Sequence, residues 1–336
     1  MMWKVAPALA CGNAMIFKPS ECTPLTALKV AELFTNVLPQ SVLQVLPGSA
    51  HVAQDLLASS DGIDKVSVTG SLTTGKNVAA QASQRLIRVT LELGGKSPLI
   101  VFADADMESV VRVVVDGNFI NNGQVCSNCT RVYVERSCLD DLVVRLSAFL
   151  KNRLVMGDNM NRSTTMGPLM KHPFIPSQHF ERVTGFIDRA MKDPQVDLLI
   201  GGAHYHSSEG GYFVEPTVFL SKSDDTEIAR EEVFGPVMTI LPFDDELDAV
   251  KRANTSKFGL AAGVMTNDVM RAHRVAKKLQ SGTVWINQWN LSPLEMPFGP
   301  YKQSGYGKEL GTESLEQYSQ VKTVYMEMGV VRDSIF

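Results

Sequence analysis

Cysteine is sparse in this chain: five in 336 residues, at positions 11, 22, 126, 129 and 138. The count is odd and the spacing fits no disulfide framework, so a reducing compartment is expected, with the cytoplasm as the default. Paired histidines at ligand spacing are lacking among the six present, and no second Cys-x-x-Cys accompanies Cys126 and Cys129. A tetrahedral metal site needs four such ligands, so none is expected. No apolar run approaches the roughly 18 residues that span a bilayer. Blocks of one charge are also missing. The 32 Lys and Arg against 36 Asp and Glu give a net charge of -4, and the cations are scattered, without the basic stripe that neutralises phosphate backbones. Neither a nucleic-acid nor a membrane partner is expected. The opening "MMWKVAPALACG" imitates a leader, with Lys4 before an apolar stretch and Leu9-Ala10-Cys11 resembling a cleavage site. Its apolar part is too short and is broken by Pro7, so it reads as buried structure.

What the chain does contain is alternation. From residue 13, short β-rich runs ("NAMIFKP", "SVLQVLP", "DKVSVTGS", "LIRVTLEL") alternate with amphipathic stretches, one of which opens with Thr23-Pro24, an N-cap followed by proline at the first helical position. This βαβα pattern predicts parallel strands with ligands at their carboxyl ends. After "LELGGKSP" come strand "LIVFAD", a helix from about Met107, strand "RVYVE" and a helix from Ser137 to about Arg153. "GDNMNRSTTMGPLM" reads as a loop. A second α/β unit follows with strands "VMTILPF", "LAAGVMT" and "TVWIN". The last run, "VKTVYME", reads as an edge strand that pairs with another subunit.

Several residues point to chemistry. "GSLTTGKN" follows strand "KVSVT" and nearly matches a phosphate-binding loop, but Asn77 stands where a hydroxyl must hold Mg²⁺, so a nucleoside triphosphatase fails at the metal. Gly70-Ser71 is then either a strand-to-helix turn whose N–H groups face a pyrophosphate, or an ordinary N-cap. In "FKPSE", Lys18 and Glu21 lie at a strand's carboxyl end. A carboxylate there can accept from a ribose hydroxyl and repel a 2′-phosphate, favouring NAD; a solvated ion pair is the alternative. Glu92 ends an apolar strand between Leu91 and Leu93, beside Gly94-Gly95. Desolvation there raises its pKa toward that of a general base, whereas a strand-end glutamate facing water would have no such role. For Cys126 and Cys129 a redox pair remains possible, though such pairs open a helix near the first strand. A single nucleophilic thiol suits the polar, glycine-bent loop "NNGQVCSN" better, with a cysteine N–H free as an oxyanion donor.

In these motifs, and in "WKVAPALACGNAMIFKPSE", "EEVFGPV", "NTSKFGLAAGV" and "PFGPYKQSGYGKELG", the chain resembles the aldehyde dehydrogenase superfamily from residue 1 nearly to its end. Within it, "WINQWNLSPLEMPFGPYKQSGYG" is most similar to the enzymes acting on betaine aldehyde and 4-trimethylaminobutyraldehyde. The resemblance implies an α/β fold of two Rossmann-like parallel-sheet domains plus a C-terminal oligomerisation strand: residues 1–92 a partial NAD-binding domain, 93–305 the catalytic domain, and 306–336 the C-terminal segment. It implies Cys126 as nucleophile and Glu92 as general base, with Cys129 a bystander. Lys18, Ser20, Glu21, Gly70, Ser71, Leu93, Gly94, Glu232 and Phe234 would line the NAD site, and Lys4 and Glu309 would pair along a proton exit path. Trp3, Trp289 and Glu295 would surround a quaternary ammonium, since aromatic faces attract such cations. It also implies a homotetramer.

Two departures carry expectations. Family members begin with a further segment holding the first strands of the nucleotide domain, an oligomerisation hairpin and a Pro-Trp-Asn stretch whose asparagine is a second oxyanion donor. The chain therefore reads as N-terminally truncated, and one lost donor typically costs about 10² to 10³ in rate. Pro300 replaces a glycine and removes an N–H from its turn. A catalytically impaired fragment or isoform, keeping only binding or assembly surfaces, is the alternative to an active enzyme.

Overall fold

The computed structural model describes residues 1–59, 61–173, 175–206 and 211–329. The N-terminal region alternates as expected: α1 (Met2–Ala10), β1 (Met15–Phe17), α2 (Leu25–Phe34), β2 (Leu43–Val45), α3 (Ala50–Ser59), β3 (Lys65–Thr69), α4 (Leu72–Ser83) and β4 (Arg88–Glu92). β1 pairs with β2 and β3 with β4, both parallel. The leader-like opening is helix α1, which buries Lys4, Val5, Pro7 and Ala8.

The central region holds β5 (Pro98–Val101), α5 (Met107–Phe119), β6 (Arg131–Glu135), α6 (Leu139–Arg153), α7 (Gln178–Ala190), β7 (Val196–Ile200), β8 (His204–His206), β9 (Tyr212–Val214), β10 (Thr217–Ser221) and α8 (Glu227–Arg230). The last part adds β11 (Val237–Phe243), α9 (Glu246–Ala253), β12 (Phe258–Gly259), β13 (Ala261–Met265), α10 (Val269–Lys278), β14 (Thr283–Ile286), β15 (Tyr301–Lys302), β16 (Gly305–Tyr306) and α11 (Glu313–Glu316). Seven of these strands form one sheet in the order β14-β13-β5-β6-β11-β10-β7. All neighbours are parallel except β7, which runs antiparallel to β10 at the edge. β5, β6 and β13 are buried almost throughout, because a parallel strand covered by helices on both faces has no solvent side. The helices start where the sequence supplies caps: Asp106, Asp245 and Asp268 each accept the backbone N–H three residues on.

Helix α7 and strands β7 to β10 were not expected from the sequence. The terminal run expected to pair with another subunit stands apart in this single chain. Residues 321–328 form no strand, and Val321, Val324, Tyr325, Met326 and Met328 are all more than three-quarters exposed. A strand is stabilised by the ladder it joins, and this segment meets none within the described chain. β16 instead returns antiparallel to β4, pairing Gly305 with Glu92. Among the described residues no helix is long and apolar enough to cross a membrane.

Candidate active site

The site begins with an improbable backbone. Asn121, Asn122 and Gly123 follow α5 with φ of 52°, 56° and 72°, three consecutive left-handed residues. Asparagine tolerates this region better than other side chains and glycine is indifferent to it, so "NNG" is a sequence that permits the bend. The bend brings the next residues onto the end of β4. An added Cβ on Gly95 would lie 2.4 Å from the Cys126 carbonyl oxygen, and one on Gly123 would lie 2.1 Å from the Gly235 carbonyl oxygen. Glycines thus pin the cysteine loop from two sides.

Cys126 is half-buried here, whereas Cys129 is sealed beneath it, where Asn118 Nδ2 donates to its sulfur at 3.2 Å. Burial pushes the Cys126 thiol up to about 12, and the carboxylates of Glu92 and Glu232 push it in the same direction. The N–H groups of Cys126 and Ser127 pull the other way. Burial likewise pushes the Cys129 thiol up. Cys126 and Glu92, distant in sequence, therefore share one electrostatic neighbourhood.

Glu92 is 4% exposed at the end of β4, and burial raises its carboxyl to about 8, helped by Glu309 and opposed by Lys4 and Lys308. Neither of its side-chain oxygens has a hydrogen-bond partner among the described residues. An orphaned buried carboxyl beside a thiol is unfavourable for stability and suited to taking a proton. Glu309 is equally buried, and Lys4 of α1 donates a short charged hydrogen bond to its Oε1. Glu309 Oε2 has no partner. The expected grouping of Cys126, Glu92, Glu309 and Lys4 is thus brought together.

The nucleotide candidates lie along the strand ends. Lys18 and Glu21 follow β1 with Nζ and Oε2 3.7 Å apart, and Ser20 Oγ accepts the Cys22 N–H at 3.2 Å. Ser71 caps α4, accepting the Thr74 N–H at 3.1 Å, and the Gly70 N–H donates to the Glu92 carbonyl at 3.1 Å. The ordinary N-cap is therefore present, and the first turn of a 12-residue helix opens beside it. Leu93 and Gly94 continue from β4. An added Cβ on Gly94 would lie 2.2 Å from Glu232 Oε2, while Glu232 Oε1 accepts the Gly95 N–H at 3.1 Å. Glu232 is itself raised by burial. Phe234, two residues on, is held at φ 57°.

The aromatic candidates divide. Trp289 is buried against Trp285, wedged where an added Cβ on Gly263 would lie 2.5 Å from its ring and one on Gly117 3.1 Å. Trp3, about two-fifths exposed, leans on Phe298 at 5.4 Å between ring centroids. Glu295 is exposed on the loop before Phe298, and Pro300 is buried immediately ahead of β15.

Other groups at the site escaped sequence reasoning. Arg182 donates to the backbone oxygens of Glu232 and Val233, fixing that loop. Both His179 and Arg182 border a cavity of about 240 Å³ with Cys22 and His172. They belong to α7, which gave no clear sequence signal. Lys96, 2% exposed, is lowered to about 7 by burial, with Arg131 adding to the shift and Glu232 opposing it. It stands in "GGKSP", and its interior direction is set by tertiary packing. Among the described residues no group of three potential ligands could hold a metal ion.

Comparison with known proteins gives a consistent picture. The model of the aldehyde dehydrogenase family matches residues 1–324. The chain is 48% identical over 330 residues to a betaine aldehyde dehydrogenase of Rhizobium johnstonii, covering 98% of this chain and 66% of that relative. It is 48% identical over 332 residues to the betaine aldehyde dehydrogenase of Brucella anthropi, again covering 98% and 66%. Among solved structures, the NAD⁺ complex of aldehyde dehydrogenase from Bacillus cereus matches with TM-score 0.91 at 42% identity, over 97% of this chain and 65% of that one. An NAD-dependent aldehyde dehydrogenase from Sinorhizobium meliloti matches with TM-score 0.93 at 34% identity, over 99% and 65%. The chain thus spans just under two thirds of the length of the relatives it matches.

Proposed function

Because the chain belongs to the aldehyde dehydrogenase family, we infer that it oxidises an aldehyde to the carboxylic acid with NAD as hydride acceptor. The observation that carries this reading is the Cys126 loop, pinned by Gly95 against the strand end that bears Glu92. A thiol and an orphaned carboxyl held together in a partly open site form a nucleophile and its base.

The residues present fit the cofactor. Glu21 at the end of β1 can accept from ribose hydroxyls, the first turn of α4 offers N–H groups to a pyrophosphate, and Glu232 is anchored through Gly95 with its second oxygen toward Gly94. Lys18, Ser20, Gly70, Ser71, Leu93 and Phe234 complete this set. When bound, NAD⁺ supplies the acceptor for the hydride leaving the substrate carbon.

Every other step belongs to the chain. Cys126 gives its proton to Glu92 and adds to the aldehyde carbon, forming a thiohemiacetal whose oxyanion is met by the Cys126 N–H. After hydride loss the product is a thioester on Cys126. Glu92 first sheds the thiol's proton to solvent; water then attacks the thioester as Glu92 takes its proton, and that proton returns to the departing sulfur as the acid leaves. A thiol near 12 and a carboxyl near 8 leave the proton on sulfur at rest, so attack and proton transfer are coupled.

The substrate is a trimethylammonium aldehyde, such as betaine aldehyde or 4-trimethylaminobutyraldehyde. Glu92 and Glu232 near Cys126 suit a cation, and the exposed Trp3 and Glu295 can offer aromatic and acidic contacts, whereas Trp289 is packed inside against Trp285. Residues 1–92 act as the cofactor lobe, 93–305 as the catalytic lobe, and the exposed 321–328 segment as the strand that assembles a cytoplasmic homotetramer.

NADH formation from betaine aldehyde, followed by absorbance, tests the reading. Turnover is expected to vanish in Cys126→Ala, to rise as pH passes about 8 where Glu92 ionises, and to favour betaine aldehyde over its neutral tert-butyl analogue. Well-folded protein that makes no NADH, or a Cys126→Ala variant as active as the parent, would overturn it.

A further inference from the structure

The register of β3 and β4 pairs Lys65 with Arg88, Ser67 with Thr90, and Thr69 with Glu92. Side chains alternate across a strand, so these six share one face while Val66, Val68, Val89 and Leu91 occupy the other. A wholly polar face is ordinary on a surface, and Thr69 and Arg88 are exposed here, but Thr90 is 1% exposed and Glu92 4%, with Lys65 and Ser67 partly covered. Lys65 Nζ donates to Thr90 Oγ1 at 2.5 Å and lies 5.5 Å from the centroid of the Tyr318 ring. Thr90 Oγ1 donates onward to Gln317 Oε1 at 3.3 Å.

Along this face several buried polar atoms have no hydrogen-bond partner among the described residues: both Glu92 oxygens, Glu309 Oε2, Ser67 Oγ and Tyr318 Oη. Ser67 and Tyr318 lie beside one another without completing a hydrogen bond, near enough for Ser67 to offset part of the burial that pushes Tyr318 up to about 12. Buried polar atoms of this kind are served by ordered water, and a row of them can conduct protons. Glu309 acts electrostatically on Glu92, Tyr318 and Lys65 alike, so a row from Glu92 by way of Glu309 can end at Lys65.

We propose that Lys65 is the outer proton acceptor for Glu92, reached through Glu309 and the polar face of β3 and β4. This rests on the reading of Glu92 as the general base. Protonated Glu92 passes its proton along the row to the neutral Lys65 amine, giving a carboxylate and an ammonium. The ammonium then loses the proton to bulk water past the exposed Arg88. Arg88 and Lys4 face Lys65 and favour the neutral amine, while Glu309 favours the ammonium. Burial, the largest influence, and these neighbours bring Lys65 to about 8, alongside Glu92 at about 8. Matched groups exchange a proton with little free-energy cost.

Lys65→Arg is the decisive variant. Arginine keeps the charge, the hydrogen bond and the ring contact, yet it does not give up its proton at any working pH. Both Lys65→Arg and Lys65→Met are expected to lower kcat on the order of 10- to 100-fold with KM unchanged, and added methylamine should restore part of the rate in Lys65→Met. Lys65→Arg with parental kcat and pH profile would overturn the proposal even if Lys65→Met fails to fold. Parent protein without NADH formation would overturn the functional reading itself, and this proposal with it.

Discussion

At Cys126, reactivity is a matter of neighbours. The thiol is pushed up by burial and two carboxylates, and only its loop geometry makes it serviceable. Gly95→Ala tests that geometry directly. A Cβ 2.4 Å from the Cys126 oxygen must displace the loop, so turnover with betaine aldehyde should fall at least tenfold. Stability should fall by about 1–3 kcal/mol, as for other overpacked sites, read from urea unfolding midpoints; parental turnover in this variant would contradict the pinning. The raised carboxyl of Glu92 was legible in advance, because Leu91, Leu93 and two glycines announce a dry environment. Its proximity to Cys126 could not be read from either segment alone. It depends on a glycine in one and a left-handed bend in the other, and only folding brings these together. Lys96 shows the opposite failure: a lysine in a glycine-rich motif gives no hint that it points inward.

Elements with strong periodicity were legible, and those held by tertiary contact were not. Strands β3 to β6, β11, β13 and β14 are runs of β-branched and apolar residues flanked by turn residues, and the structure has them close to the expected bounds. Strands β8 and β9 are three residues each and, among the described residues, pair with one another alone, too short for alternation to register. Helix α7 lies after a proline- and histidine-containing stretch that masks its start. The terminal run "VKTVYME" has β-rich composition and meets no ladder within the described chain, so any strand it forms needs a partner subunit. If that run serves assembly, truncation after Gln320 should leave far-ultraviolet dichroism and unfolding temperature unchanged while reducing the mass seen in sedimentation. A truncated protein with the parental mass would refute the assembly role.

For the molecule as a whole, several buried ionisable groups disfavour their charged forms, and they act on stability in opposite senses. Glu92 rises from 4.5 to about 8 on folding, so between these values the native state holds the extra proton and stability declines as pH increases. Lys96 drops from 10.5 to about 7, so in that window the unfolded chain holds the extra proton and stability improves as pH increases. Glu92→Gln should therefore gain on the parent from about pH 4.5 to about 8 and then level off. Lys96→Met should show its largest advantage below about pH 7, vanishing toward 10.5. Chemical denaturation across pH checks both, and a pH-independent margin in either variant would contradict the corresponding shift. The double pinning of the cysteine loop has a broader result. Because Gly95 lies just beyond β4 and Gly235 just before β11, the loop bridges the smaller β3–β4 layer and the seven-stranded sheet. The sulfur is consequently a strain gauge for their registry: its alkylation rate reports loosening of either half before the whole molecule denatures.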